Sequence, residues 1–240
     1  MKKVFLLVLL LLCLFLVSCG NKDKEKSLDE VKKAFDETVA LYGTSNTAQF
    51  KFTLQNDDTT TITVKYTLLD NKVKEMSAIT VNNNGEVSLF IKDGKAYMAR
   101  YNSDKTVSDL SDADARTIAS DYNFTGFMKR VLEIYSNSFF KASSIESGKD
   151  DVYVIVCNLD ALEVDDSLDT DALMQQQADI ERMQELTSVK LELTLDGNRV
   201  TKLVGTYVNK DNKTSVITIE LLSLDAPTIE VSDPSSYKAQ

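Results

Sequence analysis

Hydrophobic and polar positions change their spacing near residue 45, from a helical period to a strand period. Ser27-Leu28-Asp29-Glu30 matches a capping box, in which the serine hydroxyl and the glutamate carboxylate satisfy free N–H groups at a helix start. Apolar residues follow at helical spacing, and Gly43 is expected to end the helix. The pattern predicts one amphipathic helix of about four turns.

Beyond this helix, apolar and polar residues alternate, which is typical of antiparallel strands with one buried and one wet face. Asp93-Gly94 and Asp196-Gly197 match the signature of tight hairpins, and a further turn is predicted at Asn82-Asn83-Asn84-Gly85. The alternating segments predict strands at 50–54, 62–68, 73–81, 87–91, 97–101, 189–195, 200–208 and 215–222.

The middle of the chain has a helical period instead. Helices are predicted at 108–122, 124–135 and 168–186, and a nearly continuous apolar run at 152–159 predicts a buried strand. The eight or nine strands follow one another mostly in meander order, without the β-α-β alternation of a parallel sheet. The sequence therefore predicts an α+β fold, in which a strongly twisted antiparallel sheet has its apolar face covered by helices.

The amino terminus has the composition of a secretory signal: Met1-Lys2-Lys3, fourteen apolar residues from Val4 to Val17, then Ser18-Cys19-Gly20. A transmembrane helix is the alternative, but fourteen residues span roughly 21 Å of a hydrocarbon core about 30 Å thick. Leu16-Val17-Ser18-Cys19 resembles the bacterial lipobox. This resemblance implies a diacylglyceryl group on Cys19 and cleavage before it, and two acyl chains are enough for stable anchoring.

These boundaries divide the chain into a signal peptide at 1–18, a lipidated tether at 19–26, an α+β domain at 27–231 and a loose C-terminal tail at 232–240. The formal charge is −10, and loss of Lys2 and Lys3 with the signal makes it −12. Such an acidic chain without a basic patch is not expected to bind nucleic acid. With Cys13 removed and Cys19 lipidated, Cys157 would be the remaining thiol, without a disulfide partner.

Candidate catalytic residues are few, because the chain has no histidine. This excludes Ser-His-Asp and Cys-His catalysis and histidine-ligated zinc. Ser138-Phe139-Phe140-Lys141 and Ser235-Ser236-Tyr237-Lys238 match Ser-x-x-Lys, but the Ser-Asp-Asn and Lys-Thr-Gly elements of penicillin-binding enzymes are missing. Cys157 lies on an apolar strand and is interpreted as a small core residue. No catalytic residue and no enzymatic activity are predicted.

Metal and cofactor sites are not predicted either. The segment that holds Asp160, Glu163, Asp165, Asp166, Asp169 and Asp171 lacks the glycine and glutamate positions of an EF-type calcium loop. It is interpreted as a solvated loop whose charge favours the start of the next helix. No GxGxxG or Walker pattern occurs, so no nucleotide cofactor is expected.

The apolar inner strand faces allow two interpretations. They can form a filled core, or the sheet can curve far enough to leave an apolar cavity beneath the helices, suited to a lipid or other amphiphile. On the second interpretation the lining residues would be Phe50, Phe52, Ile62, Val64, Tyr66, Phe127, Met128, Leu191 and Leu193.

The order of elements resembles LolA/LppX-type lipoproteins, especially uncharacterised lipoproteins of Gram-positive bacteria placed with that group. The resemblance rests on an amphipathic helix, an antiparallel meander, inserted helices and a closing pair at Val189–Asp196 and Val200–Val208. It implies an open half-barrel closed by helices, with an amphiphile in the cavity.

The predicted function is therefore a non-enzymatic domain, held by Cys19 on the extracytoplasmic face of the cell membrane of a Gram-positive host, that binds a hydrophobic ligand. The alternative is a structural or protein-binding surface lipoprotein with a filled core. Soluble carriers of the resembled group lack an anchor, so a shuttle role does not fit a tethered chain. The sequence names no protein partner.

Overall fold

The computed structural model describes residues 26–101, 104–125, 137–164 and 170–239. They form one twelve-stranded sheet with strand order β12-β6-β5-β4-β3-β2-β1-β11-β10-β9-β8-β7, together with four helices. Every pairing is antiparallel except that of β12 with β6. The sheet is open, with its order beginning at β12 and ending at β7 in the described residues. The predicted α+β class, with helices against the apolar face of a curved antiparallel sheet, is confirmed.

The helices are α1 (Leu28–Thr44), α2 (Asp112–Tyr122), α3 (Asn137–Lys141) and α4 (Thr170–Gln184). The strands are β1 (Thr47–Gln55), β2 (Thr59–Leu69), β3 (Lys72–Asn82), β4 (Gly85–Lys92), β5 (Lys95–Arg100), β6 (Asp104–Asp109), β7 (Ser143–Lys149), β8 (Val152–Cys157), β9 (Leu186–Asp196), β10 (Arg199–Asn209), β11 (Thr214–Ser223) and β12 (Lys238–Ala239). In the described residues, no helix is both long and apolar enough to cross a bilayer.

Helix α1 begins with the predicted capping box. The Ser27 hydroxyl accepts from the Glu30 N–H, and the Glu30 carboxylate accepts from the Ser27 N–H at 2.7 Å. The helix buries its apolar stripe, including Val31 and Phe35, and packs against β10. It extends one residue past Gly43, where the Thr125 hydroxyl donates to the Gly43 carbonyl at 3.2 Å.

The tight turns are formed by residue types that favour positive φ angles. Asp93 and Gly94 both have positive φ, as a type I′ hairpin requires, and Gly197 has a φ of +61°. Asp70-Asn71 and Asp150-Asp151 form comparable turns without glycine, because aspartate and asparagine tolerate the left-handed region better than other residues.

Two segments differ from the sequence prediction. The helix expected from residue 108 begins at Asp112, because 104–109 pairs with β5 as β6 and Ser111 caps the helix. Strand β7 was not predicted, since Ile145 is its only aliphatic side chain and pairing with β8 places it in the sheet. With the short β12, these strands bring the count in the described residues to twelve, not eight or nine. The helix predicted at 124–135 lies mostly outside the described residues.

The C-terminal segment is not a loose tail. Residues 224–239, here called the C-terminal strap, cross the face of the sheet opposite the helices. Ile229 is buried, its carbonyl accepts from the Lys92 ammonium at 2.8 Å, and the Tyr237 ring meets Tyr97 edge-on at 5.3 Å. Lys238 and Ala239 then pair with β6, so the strap covers the end of the sheet.

Candidate functional site

The inner face of the sheet, toward the helices, carries most of the core. Strand register places Phe50 beside Val64, Val64 beside Ala78, and Ala78 beside Leu89 on this face. On the other side of β1, Phe52 pairs with Ile219, which pairs with Leu203 and through it with Leu193. One continuous apolar surface therefore crosses the sheet.

The structure brings most of the predicted lining residues together. Six of them are buried in one core, namely Phe50, Phe52, Val64, Tyr66, Leu191 and Leu193. Ile62 lies on the same face and is partly exposed. Phe127 and Met128 lie outside the described residues, as do Cys19 and the tether up to residue 25.

Aromatic side chains fix the centre of this face. The Phe124 ring lies 5.0 Å from the Tyr42 ring and 5.5 Å from the Phe50 ring, measured between centroids. The Tyr66 hydroxyl accepts a hydrogen bond from the Phe124 N–H at 3.2 Å. Burial raises the pKa values of Tyr42 and Tyr66 above the ordinary 10.0, because an apolar environment disfavours the charged phenolate.

A small apolar gap remains under α1, with a volume of about 10 Å³. That is the space of one water molecule at most. It is lined by Phe35, Thr38, Val39, Phe124, Val200, Leu203, Ile219 and Leu221. This part of the core is filled by its own side chains.

A different part of the inner face is less covered. Six apolar side chains are only partly buried there, although strand register places them on the same face as the core. We call them the apolar strip: Leu54, Ile62, Val87, Leu89, Met98 and Ile217.

The strip is continuous across the sheet. Leu54 pairs with Ile217, and Leu89 pairs with Met98. Thr80 connects the two halves, since it pairs with Ile62 on one side and Val87 on the other.

At its β5–β6 end, the strip meets a pair of charged residues. Val87 pairs with Arg100, and Arg100 pairs with Asp104. Both charged residues are exposed.

Of the strip, the sequence prediction contained Ile62 alone. Alternation places all six residues on the apolar face, but gives no measure of how well the helices cover each of them. The sequence does show where these residues lie along the strands. Each of them is within six residues of the β1–β2, β3–β4, β5–β6 or β10–β11 turn.

Two polar grooves run along α1 beside the β9–β10 turn. One, of about 400 Å³, is lined by Glu37, Thr38, Leu41, Asp196, Asn198 and Arg199. The other, of about 190 Å³, is lined by Lys26, Glu30, Lys33, Ala34, Glu37 and Asn198. Both grooves contain charges of both signs, which gives neither a strong preference for anions or cations.

The other candidate residues occupy ordinary structural positions. The Ser138 hydroxyl is buried and accepts from the Gln176 amide at 3.1 Å, while Lys141 is exposed. The Ser235 hydroxyl donates to Asp233 in the C-terminal strap. Cys157 is a buried free thiol whose pKa is raised by burial.

The acidic segment is described in part. Asp160 and Glu163 are exposed, whereas 165–169 lie outside the described residues. Among the residues that the structure describes, no three carboxylate or cysteine side chains come together as a metal site.

Comparisons with known proteins identify no family. No protein-family model matches the chain. No curated protein matches it either.

Three solved structures are similar to the chain at low identity. An uncharacterized conserved protein from Thermus thermophilus has 8% identity and a TM-score of 0.33, with 87% of this chain and 98% of that chain covered. A putative outer membrane lipoprotein-sorting protein domain from Vibrio parahaemolyticus has 10% identity and a TM-score of 0.23, with coverages of 82% and 90%. A LolA superfamily protein from Nitrosomonas europaea has 10% identity and a TM-score of 0.24, with coverages of 81% and 94%. All three TM-scores lie below 0.5, so these likenesses carry no argument about function.

Proposed function

We propose that this chain is an extracytoplasmic lipoprotein, anchored through lipid on Cys19, that binds a hydrophobic ligand at the apolar strip without catalysing a reaction. The observation that carries the proposal is the partial exposure of six neighbouring apolar side chains on the inner face of the sheet. A contiguous apolar surface in contact with water is costly, and in monomeric proteins it commonly marks a binding site.

The chemistry of the strip fits an alkyl chain. Leucine, isoleucine, valine and methionine offer apolar contact without directional hydrogen bonds, and each buried methylene group contributes about 0.8 kcal/mol. The adjacent Arg100 and Asp104 provide a polar boundary where the head of an amphiphile would lie. The resemblance of the element order to LolA/LppX-type lipoproteins favours the same ligand class.

A second candidate is a protein-binding lipoprotein with a filled core and no ligand. It is favoured by the complete burial of Phe50, Val64 and Leu191 and by the small gap beneath α1. In that case the apolar strip would be covered by a protein partner. Pull-down with the delipidated domain should then recover an envelope protein, and the binding should survive lipid removal.

Native mass spectrometry of the mature chain, purified from a lipid-producing host, tests the ligand proposal. We expect a bound species of lipid mass, lost in Ile62→Asn because a polar side chain would enter the strip. Thr63→Asn is the matched control, since Thr63 is the next residue of β2 and points to the opposite face. An unliganded mass for the parent chain would refute the proposal.

Labelling with a palmitate analogue tests the anchor separately. Cys19→Ala should abolish incorporation, whereas Cys13→Ala should retain it, because Cys13 belongs to the predicted signal peptide. Incorporation into the Cys19→Ala protein would refute lipid attachment at this residue.

A further inference from the structure

The β3–β4 turn contains the one asparagine of the chain that is followed by glycine. Fourteen asparagines occur in the sequence, and Asn84 alone precedes a glycine, Gly85. The side-chain amide of an asparagine can be attacked by the main-chain nitrogen of the next residue, and a side chain on that next residue hinders the attack. Because glycine has no Cβ, the hindrance is least at Asn84.

Three asparagines stand side by side in this turn, but the hydrogen bonds of their side chains differ. The Asn82 amide oxygen accepts from the Asn84 N–H at 2.9 Å, and the Asn83 amide donates to the Asp58 carboxylate. The Asn84 side chain is exposed and has no hydrogen bond to another residue in the part of the chain that the structure describes. Of the three amides, the one next to glycine is therefore also the one that no contact holds.

The fold requires glycine after Asn84. The φ of Gly85 is +119°, a main-chain conformation that residues with a side chain rarely adopt. A Cβ at this position would also lie 3.2 Å from the Tyr101 ring. A substitution of Gly85 that slowed the attack would thus strain the turn, so the unhindered pair is a consequence of the fold itself.

The attacking nitrogen lies at the end of the β3–β4 ladder. Gly85 pairs with Asn82, which is the last pair before the turn, and the two residues between them are exposed. Opening of this one pair is a local event that requires less free energy than global unfolding. The Gly85 nitrogen can therefore reach the Asn84 side chain while the rest of the sheet stays folded.

From these observations we infer that Asn84 is a site of spontaneous deamidation, through a cyclic imide formed with Gly85. The Gly85 nitrogen gives its proton to solvent and attacks Cγ of Asn84. The new C–N bond closes a five-membered ring, the bond from Cγ to Nδ2 breaks, and the nitrogen leaves with a proton as ammonia. Water then opens the ring at one of its two carbonyls, which gives aspartate or isoaspartate.

The net reaction consumes one water and releases one ammonia, with no change of oxidation state. It needs neither the proposed ligand nor the lipid anchor, so the inference is independent of the proposed function.

Either product adds a negative charge to a turn that already lies beside carboxylates. Asp58 accepts from the Asn83 amide, and Glu86 is exposed on the other side of Gly85. Isoaspartate also adds one methylene group to the main chain ahead of Gly85. The Glu86 carbonyl accepts from the Tyr101 N–H at 2.7 Å, so we expect the conversion to weaken this hydrogen bond as well.

The reaction can be followed by ageing the full chain in a warm, mildly alkaline buffer and digesting it with trypsin. The peptide 75–92 contains the three asparagines of the turn and no other asparagine. We expect the mass increase of an amide-to-acid conversion at Asn84, with a separately eluting isoaspartate form. It should accumulate several-fold faster than conversion at any other asparagine. No conversion at Asn84, or earlier conversion at another asparagine, would overturn the inference.

Two variants test the assignment to this side chain. Asn84→Gln should reduce conversion of the peptide to the background level, because the longer side chain would have to close a six-membered ring. Asn83→Gln is the matched control, since it keeps the Asn84-Gly85 pair and should keep the conversion. Undiminished conversion in Asn84→Gln would contradict the proposed site.

Hydrogen exchange tests the structural consequence. In the isoaspartate fraction, the Tyr101 amide should exchange several-fold faster than in fresh protein, because its acceptor on Glu86 is displaced. The Val64 amide, in the interior of the sheet, provides the reference within the same molecule. Unchanged exchange at Tyr101 would refute the effect on the main chain.

Discussion

At the residue scale, Thr38 links α1 to the sheet. Its buried hydroxyl donates to the Ala34 carbonyl at 2.7 Å and accepts from the Val200 N–H at 3.0 Å. Val200 lies at an irregularity in the β9–β10 register, between the pairs of Val200 and Lys202. The threonine hydroxyl therefore satisfies a backbone donor at a place where the strand ladder is interrupted.

We expect Thr38→Val to lower the free energy of unfolding by about 1–3 kcal/mol, because the Val200 N–H would stay buried without its partner. Thr38→Ser is the matched control, since it keeps the hydroxyl and loses only a methyl group. Urea denaturation measures both. Equal losses in the two variants would show that the methyl group, and not the hydrogen bond, stabilises this contact.

Cys157 gives a pH dependence at the same scale. Burial raises the pKa of its thiol above the ordinary value of 9.0, against the opposing hydrogen bond with Ser143. The folded state therefore binds the thiol proton more tightly than the unfolded state. This stabilising contribution is complete below pH 9.0 and is lost as the pH rises through the folded-state pKa.

The unfolding free energy should accordingly fall as the pH rises above 9.0, and should fall less in Cys157→Ala. Denaturation at several pH values measures the difference in slope between the two proteins. Tyrosine ionisation contributes to both curves alike, so it cancels in the comparison. Parallel curves would contradict the assignment of the slope to Cys157.

At the element scale, the C-terminal strap covers apolar surface that strand alternation leaves on the outer face. Phe90 and Tyr97 pair on that face, where a fully solvated antiparallel sheet would carry polar side chains. The strap covers this region with the buried Ile229 and with Tyr237, over whose ring the Lys105 ammonium lies 5.7 Å from the centroid. The outer face is thus in contact with solvent on β1 and β2, whereas the C-terminal strap covers it on β4 to β6.

We expect Ile229→Ala to lower the unfolding free energy by about 2–5 kcal/mol, because it removes a buried aliphatic side chain. Glu230→Ala is the matched control, since Glu230 is the neighbouring exposed residue and its loss should cost little. Urea denaturation measures both. If the two variants unfolded at the same urea concentration, the strap would contribute no packing energy.

At the scale of the whole molecule, a ligand on the apolar strip should stabilise the fold by mass action. At a free concentration of one hundred times Kd, the gain is about 2.7 kcal/mol, or roughly 5–10 °C in Tm for a domain of this size. Thermal unfolding of the delipidated chain with increasing amphiphile measures it. A shift of the same size in Ile62→Asn would place the ligand elsewhere.

The fold was predictable where the signals are local. The capping box at Ser27 and Glu30 and the hairpin at Asp93-Gly94 depend on contacts between residues a few positions apart. Strands β6 and β7 were missed because their pairing partners, and not their own residues, place them in the sheet. The C-terminal strap was missed for the same reason, since Ile229 is buried by residues more than one hundred positions earlier in the chain.

The candidate site shows the same division. The sequence by itself determined the α+β class, the position of α1 and the alternation that places Ile62 and Val64 on one face of β2, because helix and strand periods are local geometry. Only the tertiary structure decided that Val64 is completely buried while Ile62 stays in contact with water. The reason is that burial depends on which distant helices and strands cover a side chain. The local sequence around two aliphatic residues of the same strand does not show which of them will be covered.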